Sequence, residues 1–411
     1  MNELVLPYAG SVDTSRFPSR GRLALRLLEG LQHGRLDVRF PDGQRASFGA
    51  GGDAHPADLQ FNNWNVIGAS LASGDIGFAE SYVAGDWSTS DLARLLTFFL
   101  RNRDAADRVI YGTFLGRLAH RVRHLLNRNT KAQARRNIHA HYDLGNDFYA
   151  LWLDPTMSYS SALLPAHAAP HAPLTERALI DGQVAKYRRV LDELQIGTPA
   201  RVLEIGCGWG GFAELALRAG HEVTGLTLST EQLDYARRRL APLGNGWDLR
   251  LQDYREEQAQ YDAIASIEMF EAVGEAYWPS YFATLKRCLA PSGRACVQTI
   301  VIADDLFDRY RVGTDFIQQY IFPGGMLPSP SAFRRAAGRA GLAVVNEHAF
   351  GLDYARTLAT WRQRFHARLE AVRALGFDER FVRIWDFYLA YCEAAFARRS
   401  TDVVQYTLVH A

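Results

Sequence analysis

Residues Arg201-Val-Leu-Glu-Ile-Gly-Cys-Gly-Trp-Gly-Gly211 limit what this chain can fold into more than any other stretch. Val202 and Leu203 predict a buried parallel strand, and Glu204 and four glycines follow at once. Gly206, Gly208 and Gly211 suit a strand-to-helix turn where a ligand comes close to the backbone. The same spacing satisfies the dinucleotide pattern G-x-G-x-x-G, so the glycines alone leave the ligand open. Glu204 narrows the choice. Its carboxylate repels a pyrophosphate but suits the amino-acid part of S-adenosylmethionine. The next strand, Glu222–Leu228, ends at Thr227 and Leu228, without the acid that holds an NAD ribose. The segment predicts a methyltransferase cofactor site, with a ligand-free glycine turn as the bland alternative.

Strand–helix alternation runs from about residue 137 to the C-terminus. Candidate strands are Arg201–Ile205, Glu222–Leu228, Leu249–Asp253, Ala263–Glu268, Arg294–Ile302, Ala343–His348 and Val404–His410. Seven strands with helices between them predict a doubly wound α/β sheet. A chain of 411 residues exceeds one ordinary core, and residues 1–100 read as a smaller α+β unit. In it a helix near Leu23–Leu31 leads to strands at Arg35–Phe40 and Arg45–Phe48, turned at Pro41-Asp42-Gly43, with a further helix near Leu92–Leu100.

Between these regions, Arg101–Arg136 carries ten Lys/Arg against two acids, net +8, interleaved with Val109, Ile110, Phe114, Leu115, Leu118, Leu125 and Leu126. Such a basic amphipathic linker suits an anionic bilayer surface, or else a solvated helix face. The whole chain is only +1, which argues against nucleic acid. Cys207, Cys288, Cys296 and Cys392 form no C-x-x-C pair, which predicts a reducing cytosol without disulfide or zinc. The N-terminus shows no signal-peptide pattern, and no run of 18 apolar residues occurs. His167 and His171 lie in a Pro/Ala-rich stretch at 164–173, which reads as a surface loop rather than a metal site.

Seven further segments, taken together and in order, carry a family resemblance. They are His141-Tyr-Asp-Leu-Gly-Asn-Asp147, Met157-Ser-Tyr-Ser160, Glu204–Gly211, Leu251-Gln-Asp-Tyr-Arg255, Glu268-Met-Phe-Glu271, Tyr320-Ile-Phe-Pro-Gly-Gly325 and Asp353-Tyr354. The chain resembles the cyclopropane-fatty-acyl-phospholipid synthases and mycolic acid methyltransferases, over residues 135–411 most clearly. The resemblance implies a class I, Rossmann-like methyltransferase sheet and S-adenosylmethionine as methyl donor. It implies transfer to the double bond of an unsaturated phospholipid acyl chain, through a carbocation that loses a proton as a cyclopropane ring closes. A peripheral enzyme on the inner face of the membrane, paired as a homodimer, is the implied setting. Cofactor contacts carry over to Tyr159 and Ser160, to Glu204, Gly206 and Gly208, to Thr227, Leu228 and Gln232 near the ribose, and to Gln252 and Asp253 near the adenine.

The family's base is a bicarbonate ion held by Cys, Glu, His, Tyr and a backbone group beside Ile. This chain places Ser161, Glu271, Gln298, Tyr354 and Ile300 at those positions. Ser and Gln still donate hydrogen bonds to an anion, but the titratable imidazole is lost. Glu268 stands where Gly is common, and Ala272 where His often follows the Glu. Cys392 matches a cysteine long regarded as an active-site residue, although methyl transfer to an alkene has no need of a thiol. These departures open a second outcome, a methyl- or methylene-branched chain without ring closure. A small-molecule methyltransferase and a non-catalytic lipid binder are the further alternatives.

Overall fold

Strands Leu36–Arg39 (β1) and Arg45–Phe48 (β2) form an antiparallel hairpin. Its turn closes where Gly43 takes φ 91° and donates to the Phe40 carbonyl at 2.9 Å. The computed structural model describes residues 12–51, 55–103, 144–165 and 174–411. The basic linker from residue 104 onward, His141-Tyr-Asp143, His167 and His171 lie outside them.

Sequence patterning missed the rest of the small sheet. Ala57–Phe61 (β3) lies parallel to β1, its side chains alternating buried and half-buried, and Trp87–Ser88 (β4) closes the order β2-β1-β3-β4. Between β3 and β4 run two helices, Asn65–Ser73 and Asp75–Ala84, broken at Gly74 with φ 64°. Helices Ser19–Glu29 and Leu92–Arg101 complete the unit. This unit does not own a separate core. Buried Trp87, Leu95 and Phe98 belong to the same apolar cluster as Trp385, Phe387 and Leu389 of the helix Glu379–Ala397. Tyr82 also donates to Asp386 Oδ2 at 2.8 Å, while Arg362 Nε reaches Oδ1 at 2.6 Å. Burial opposes ionisation of Asp386, but His366 and Arg362 outweigh it and bring the carboxyl down to about 2.

The seven expected strands are all present: Arg201–Ile205 (β5), Glu222–Thr227 (β6), Trp247–Leu251 (β7), Tyr261–Ile267 (β8), Leu289–Ile302 (β9), Leu342–Ala349 (β10) and Thr401–His410 (β11). They pair in the order β10-β11-β9-β8-β5-β6-β7. Strands β5 to β9 are mutually parallel, and β11 inserts antiparallel between β9 and β10. β7 begins and ends two residues earlier than the expected Leu249–Asp253, so Gln252 and Asp253 lie in the loop beyond it. The strand order reverses between β5 and β8. In an open parallel sheet, ligands bind in the crevice beyond the strand ends at that reversal.

Candidate active site

β5 ends in the glycine turn, and Gly206 and Cys207 both donate to the Leu226 carbonyl of β6 at 2.9 Å. That pair of bonds folds the turn over the strand ends. Its glycines do different things. A Cβ on Gly206 would meet Met269 at 2.8 Å, and one on Gly211 would meet the Tyr187 hydroxyl at 2.8 Å. On Gly208, at φ 51°, it would meet nothing within 4 Å. Gly206 and Gly211 therefore serve packing, whereas Gly208 faces open space at the mouth of a cavity of about 160 Å³.

All ten positions that the resemblance implied for the cofactor stand on the wall of this one cavity. Glu204 is 3% exposed, and its Oε2 has no hydrogen-bond partner. Burial pushes its carboxyl well above the usual range, against the Ala213 N–H, Arg239 and Lys186. An ammonium group in the cavity satisfies that oxygen and restores its charge. The Thr227 hydroxyl donates to Gln232 Oε1 at 3.1 Å, which leaves the Gln232 NH₂ group to a ligand hydroxyl. Leu228 adds apolar wall beside them. Gln252 Nε2 donates to Glu257 at 3.2 Å. Both oxygens of Asp253 are engaged by Arg255, with Nε at 2.8 Å from Oδ1, so this wall presents an ion pair. Tyr159 closes the opposite side, its hydroxyl 2.7 Å from that of Tyr388 and its ring against Tyr149, Trp152 and Trp361. An orphaned buried carboxylate oxygen, an open space above Gly208 and a free amide donor are what the methionine and ribose portions of S-adenosylmethionine require. The residues fit it.

Sequence reading passed over Lys186, the buried cation of the site. It lies at 0% exposure in the helix Glu176–Leu194, on the buried face traced by Leu179, Gln183, Lys186, Tyr187 and Val190. Its ammonium donates to Ser160 Oγ and to Gln183 Oε1. Burial brings it down to about 7, opposed by Glu268, Asp154 and Glu204. The helical spacing held this signal, because a lysine at an i, i+3, i+4, i+7 position lies on the packed face.

Where an exogenous base was expected, the chain supplies a carboxylate of its own. Glu268, just past β8, accepts from the Ser161 backbone N–H at 2.9 Å and from Gln298 Nε2 at 2.7 Å on Oε1. Its Oε2 accepts from the Tyr354 hydroxyl at 2.6 Å. Three of the positions expected to hold bicarbonate thus hold Glu268 instead. Ser161 does so through its backbone, because its hydroxyl donates to the Ala162 carbonyl at 2.9 Å. Gln298 is itself fixed by Gln405, whose Nε2 donates to its Oε1 at 3.0 Å. The remaining two positions pair with each other, the Ile300 N–H donating to Glu271 Oε1. Glu271 Oε2 is buried without a partner, and burial with the charge of Glu268 pushes this carboxyl up to about 8. Burial also holds the Glu268 carboxyl above its usual range, although Tyr354, Lys186, Ser161 and Gln298 act the other way. Of the two adjacent carboxyls, only Glu268 has a cation and three donors that favour its charge, and that charge disfavours ionisation of Glu271. Glu268 has φ 51°, a conformation natural to glycine and costly for other residues. Cys392 stands near Tyr354 and Tyr388, its thiol pushed up by burial and by Asp315. It is a neutral packing group rather than a nucleophile.

The description "Mycolic acid cyclopropane synthetase" matches residues 129–406. The chain belongs to that family. Tuberculostearic acid methyltransferase UfaA1 of Mycobacterium tuberculosis is 41% identical over 341 residues, covering 82% of this chain and 79% of that one. The cyclopropane-fatty-acyl-phospholipid synthase of Escherichia coli K12 is 34% identical over 363 residues, 88% and 90% of the two chains. Among solved structures, the cyclopropane synthase MmaA2 of M. tuberculosis superposes with a TM-score of 0.61 at 27% identity, over 67% of this chain and 97% of that one. The mycolic acid cyclopropane synthase CmaA1, complexed with S-adenosylhomocysteine and CTAB, gives 0.61 at 29% identity with the same coverage. The cyclopropane synthase family comprises S-adenosylmethionine-dependent methyltransferases of lipids, with the seven-stranded α/β fold described above. Among the described residues, no helix is long and apolar enough to cross a membrane, and no cluster of metal-ligating side chains occurs.

Proposed function

We propose that this protein methylates the double bond of an unsaturated phospholipid acyl chain and gives a one-carbon-branched chain, with Glu268 as the built-in proton acceptor. The observation that carries this reading is the Glu268 carboxylate, seated among Ser161, Gln298 and Tyr354. The similarity to a tuberculostearic acid methyltransferase supports the branched product over the ring.

In this reading Glu204, Gly206, Gly208, Thr227, Leu228, Gln232, Gln252, Asp253, Tyr159 and Ser160 hold the cofactor. Bound there, S-adenosylmethionine supplies an electrophilic methyl group to one alkene carbon, leaving positive charge on its neighbour. An alkene is a weak nucleophile, so the surrounding residues must hold it in line and keep water out. Tyr159 lines the cavity, Tyr354, Trp361 and Tyr388 pack in one cluster with it, and such an aromatic cluster favours a passing cation. Glu268 Oε2 already accepts one hydrogen bond, and its second lone pair is available for a proton. Glu268 takes that proton from the new methyl carbon after a hydride has moved to the cationic carbon, and the C–H electron pair becomes a methylene double bond. Glu271 stays protonated beside it and spares the site a second negative charge. The net +8 of Arg101–Arg136 supports docking on an anionic bilayer at the cytoplasmic face.

The test is expression in a host supplied with unsaturated phospholipids and methyl-labelled methionine, followed by fragmentation of the fatty acids. One added labelled carbon with a retained double bond supports the proposal. A labelled cyclopropane ring refutes the branched product, and unlabelled lipid refutes the lipid reading.

A further inference from the structure

A second cavity, of about 440 Å³, lies between the small sheet unit and the catalytic sheet, and it shares no wall residue with the cofactor cavity. The small unit contributes Leu28, Leu59, Ile67 and Phe99, and the catalytic part contributes Ile302 and Phe387. Most of this wall is apolar, yet four polar atoms on it are buried without a hydrogen-bond partner. They are Ser70 Oγ, Arg103 Nε, Thr314 Oγ1 and Thr401 Oγ1. Ser70 is 1% exposed. An orphaned buried polar group costs about 1–3 kcal/mol, and a wall bearing four of them is built for something that satisfies them.

All four groups can donate, and Arg103 Nε can do nothing else, so acceptor oxygens satisfy the whole set. The wall's two carboxyls do not compete for that role. Asp75 is taken up by the Phe316 N–H at 3.2 Å and the Tyr391 hydroxyl at 3.1 Å, and Asp315 caps its helix through the Gln318 N–H at 2.8 Å. Apolar length together with several acceptor oxygens and one unpaired guanidinium describes a phospholipid, with ester and phosphate oxygens at one end and a hydrocarbon chain at the other. A free fatty acid offers a single carboxylate for donors on four different elements. One wall residue shares a strand with a residue of the candidate active site. Ile302 lies two residues from Ile300 on β9, so both side chains share one face of the strand.

We propose that this chamber binds an acyl chain of a glycerophospholipid, and that the small N-terminal unit exists to build half of it. The inference rests on the lipid reading above and assigns that reading a second subsite. The family match begins at residue 129, so the N-terminal half of the wall lies outside it.

The experiment uses the full chain and a phosphatidylglycerol carrying a photoreactive diazirine near the end of one acyl chain, in vesicles. Irradiation and peptide mapping are expected to place label in the peptides spanning residues 59–73 and 92–103. Ser70→Phe fills the chamber, and Arg103→Glu reverses its charge at a half-exposed position. Both are expected to lower that labelling by about ten-fold, equivalent to about 1.4 kcal/mol of binding, with S-adenosylhomocysteine binding unchanged. Glu268→Gln is expected to label like the wild type while its turnover falls by about 100-fold or more. Label confined to catalytic peptides, unchanged N-terminal labelling in either chamber variant, or labelling by a diazirine fatty acid but not by the phospholipid overturns the inference. Methyl transfer to lipid without N-terminal label defeats this inference alone. Loss of both defeats the lipid reading with it.

Discussion

Replacing Glu268 with Gln tests the assignment of the proton acceptor with little cost to the fold. The substitution keeps the side chain's shape and one carbonyl oxygen. Set in the Oε1 position, that oxygen keeps the bonds from Ser161 N–H at 2.9 Å and Gln298 Nε2 at 2.7 Å. The new NH₂ group then faces the Tyr354 hydroxyl, which rotates from donor to acceptor. All three contacts survive, and a buried charge is removed, so the expected change in stability is about 1 kcal/mol or less. What disappears is the basic lone pair. Removing a positioned general base lowers turnover by about 100- to 10,000-fold, and that loss is expected here with S-adenosylhomocysteine affinity unchanged. The assay is single-turnover transfer of labelled methyl to unsaturated phospholipid vesicles, with calorimetric titration of S-adenosylhomocysteine as control. Glu268→Gly extends the test. Glycine relieves the φ of 51° and leaves the three donors around a vacancy the size of a small carboxylate. Added formate, acetate or bicarbonate is then expected to restore part of the rate. Wild-type turnover in Glu268→Gln, or no response of Glu268→Gly to any anion, refutes the reasoning.

Glu271 holds its proton in the folded chain up to about 8, whereas the unfolded chain releases it near the ordinary 4.5. The folded state binds more protons across that window, so this group's contribution to stability is full below 4.5 and is lost as pH rises towards 8. Urea denaturation at several pH values is expected to show Glu271→Gln gaining on the wild type from about pH 5 to about pH 8, and parallel curves would count against a buried neutral Glu271. Lys186→Met removes a cation that favours the ionised form of Glu268, so the acid limb of the turnover profile is expected to move to higher pH. An unmoved limb means that Lys186 serves packing alone. Gly208→Ala is expected to cost about 1–2 kcal/mol of backbone strain at φ 51° yet still to fold, since its Cβ meets nothing within 4 Å, and to bind S-adenosylhomocysteine about ten-fold or more weakly because the methyl occupies the cofactor's space. Unchanged affinity would place the ligand elsewhere.

What was legible in the sequence was local. The turn after β5 needs glycines at fixed offsets, and each strand of the large sheet carries its own apolar run, so the seven strands and the glycine turn could be read locally, while the other cofactor-wall positions came from the family resemblance. The small unit was less legible. β3 spells Ala-Asp-Leu-Gln-Phe, a clean alternation over only five residues, and the two helices after it pack on each other, with Asp75–Ala84 also lying against the helix Glu379–Ala397. The cavity between the two sheets could not be read at all, since its walls come from segments as far apart as Leu28 and Thr401.

The proton acceptor falls between these cases. Three departures were visible one by one: Ser161 for Cys, Gln298 for His and Glu268 for Gly. Read singly, the first two suggest a weakened anion pocket and the third a local oddity. Only the register of β8 beside β9, which brings Ile267 level with Gln298, together with the Ser161 N–H bond to Glu268, shows that all three surround one point. A pocket that carries its own carboxylate has no use for a titratable imidazole to hold a diffusible anion. Its ligands need only donate, and neutral donors suffice: a backbone N–H, an amide and a phenol. On the proposed role of Glu268, the Gln at position 298 and the glutamate at position 268 are then one linked departure from the resemblance. It follows that restoring His at position 298 alone, with Glu268 still in place, sets a basic ring against a carboxylate that already has its donors. Gln298→His is expected to lower turnover. Only the double variant Glu268→Gly with Gln298→His is expected to run on added bicarbonate at a rate above that of Glu268→Gly alone. If Gln298→His by itself gained activity from bicarbonate, Glu268 would not be occupying the anion's place.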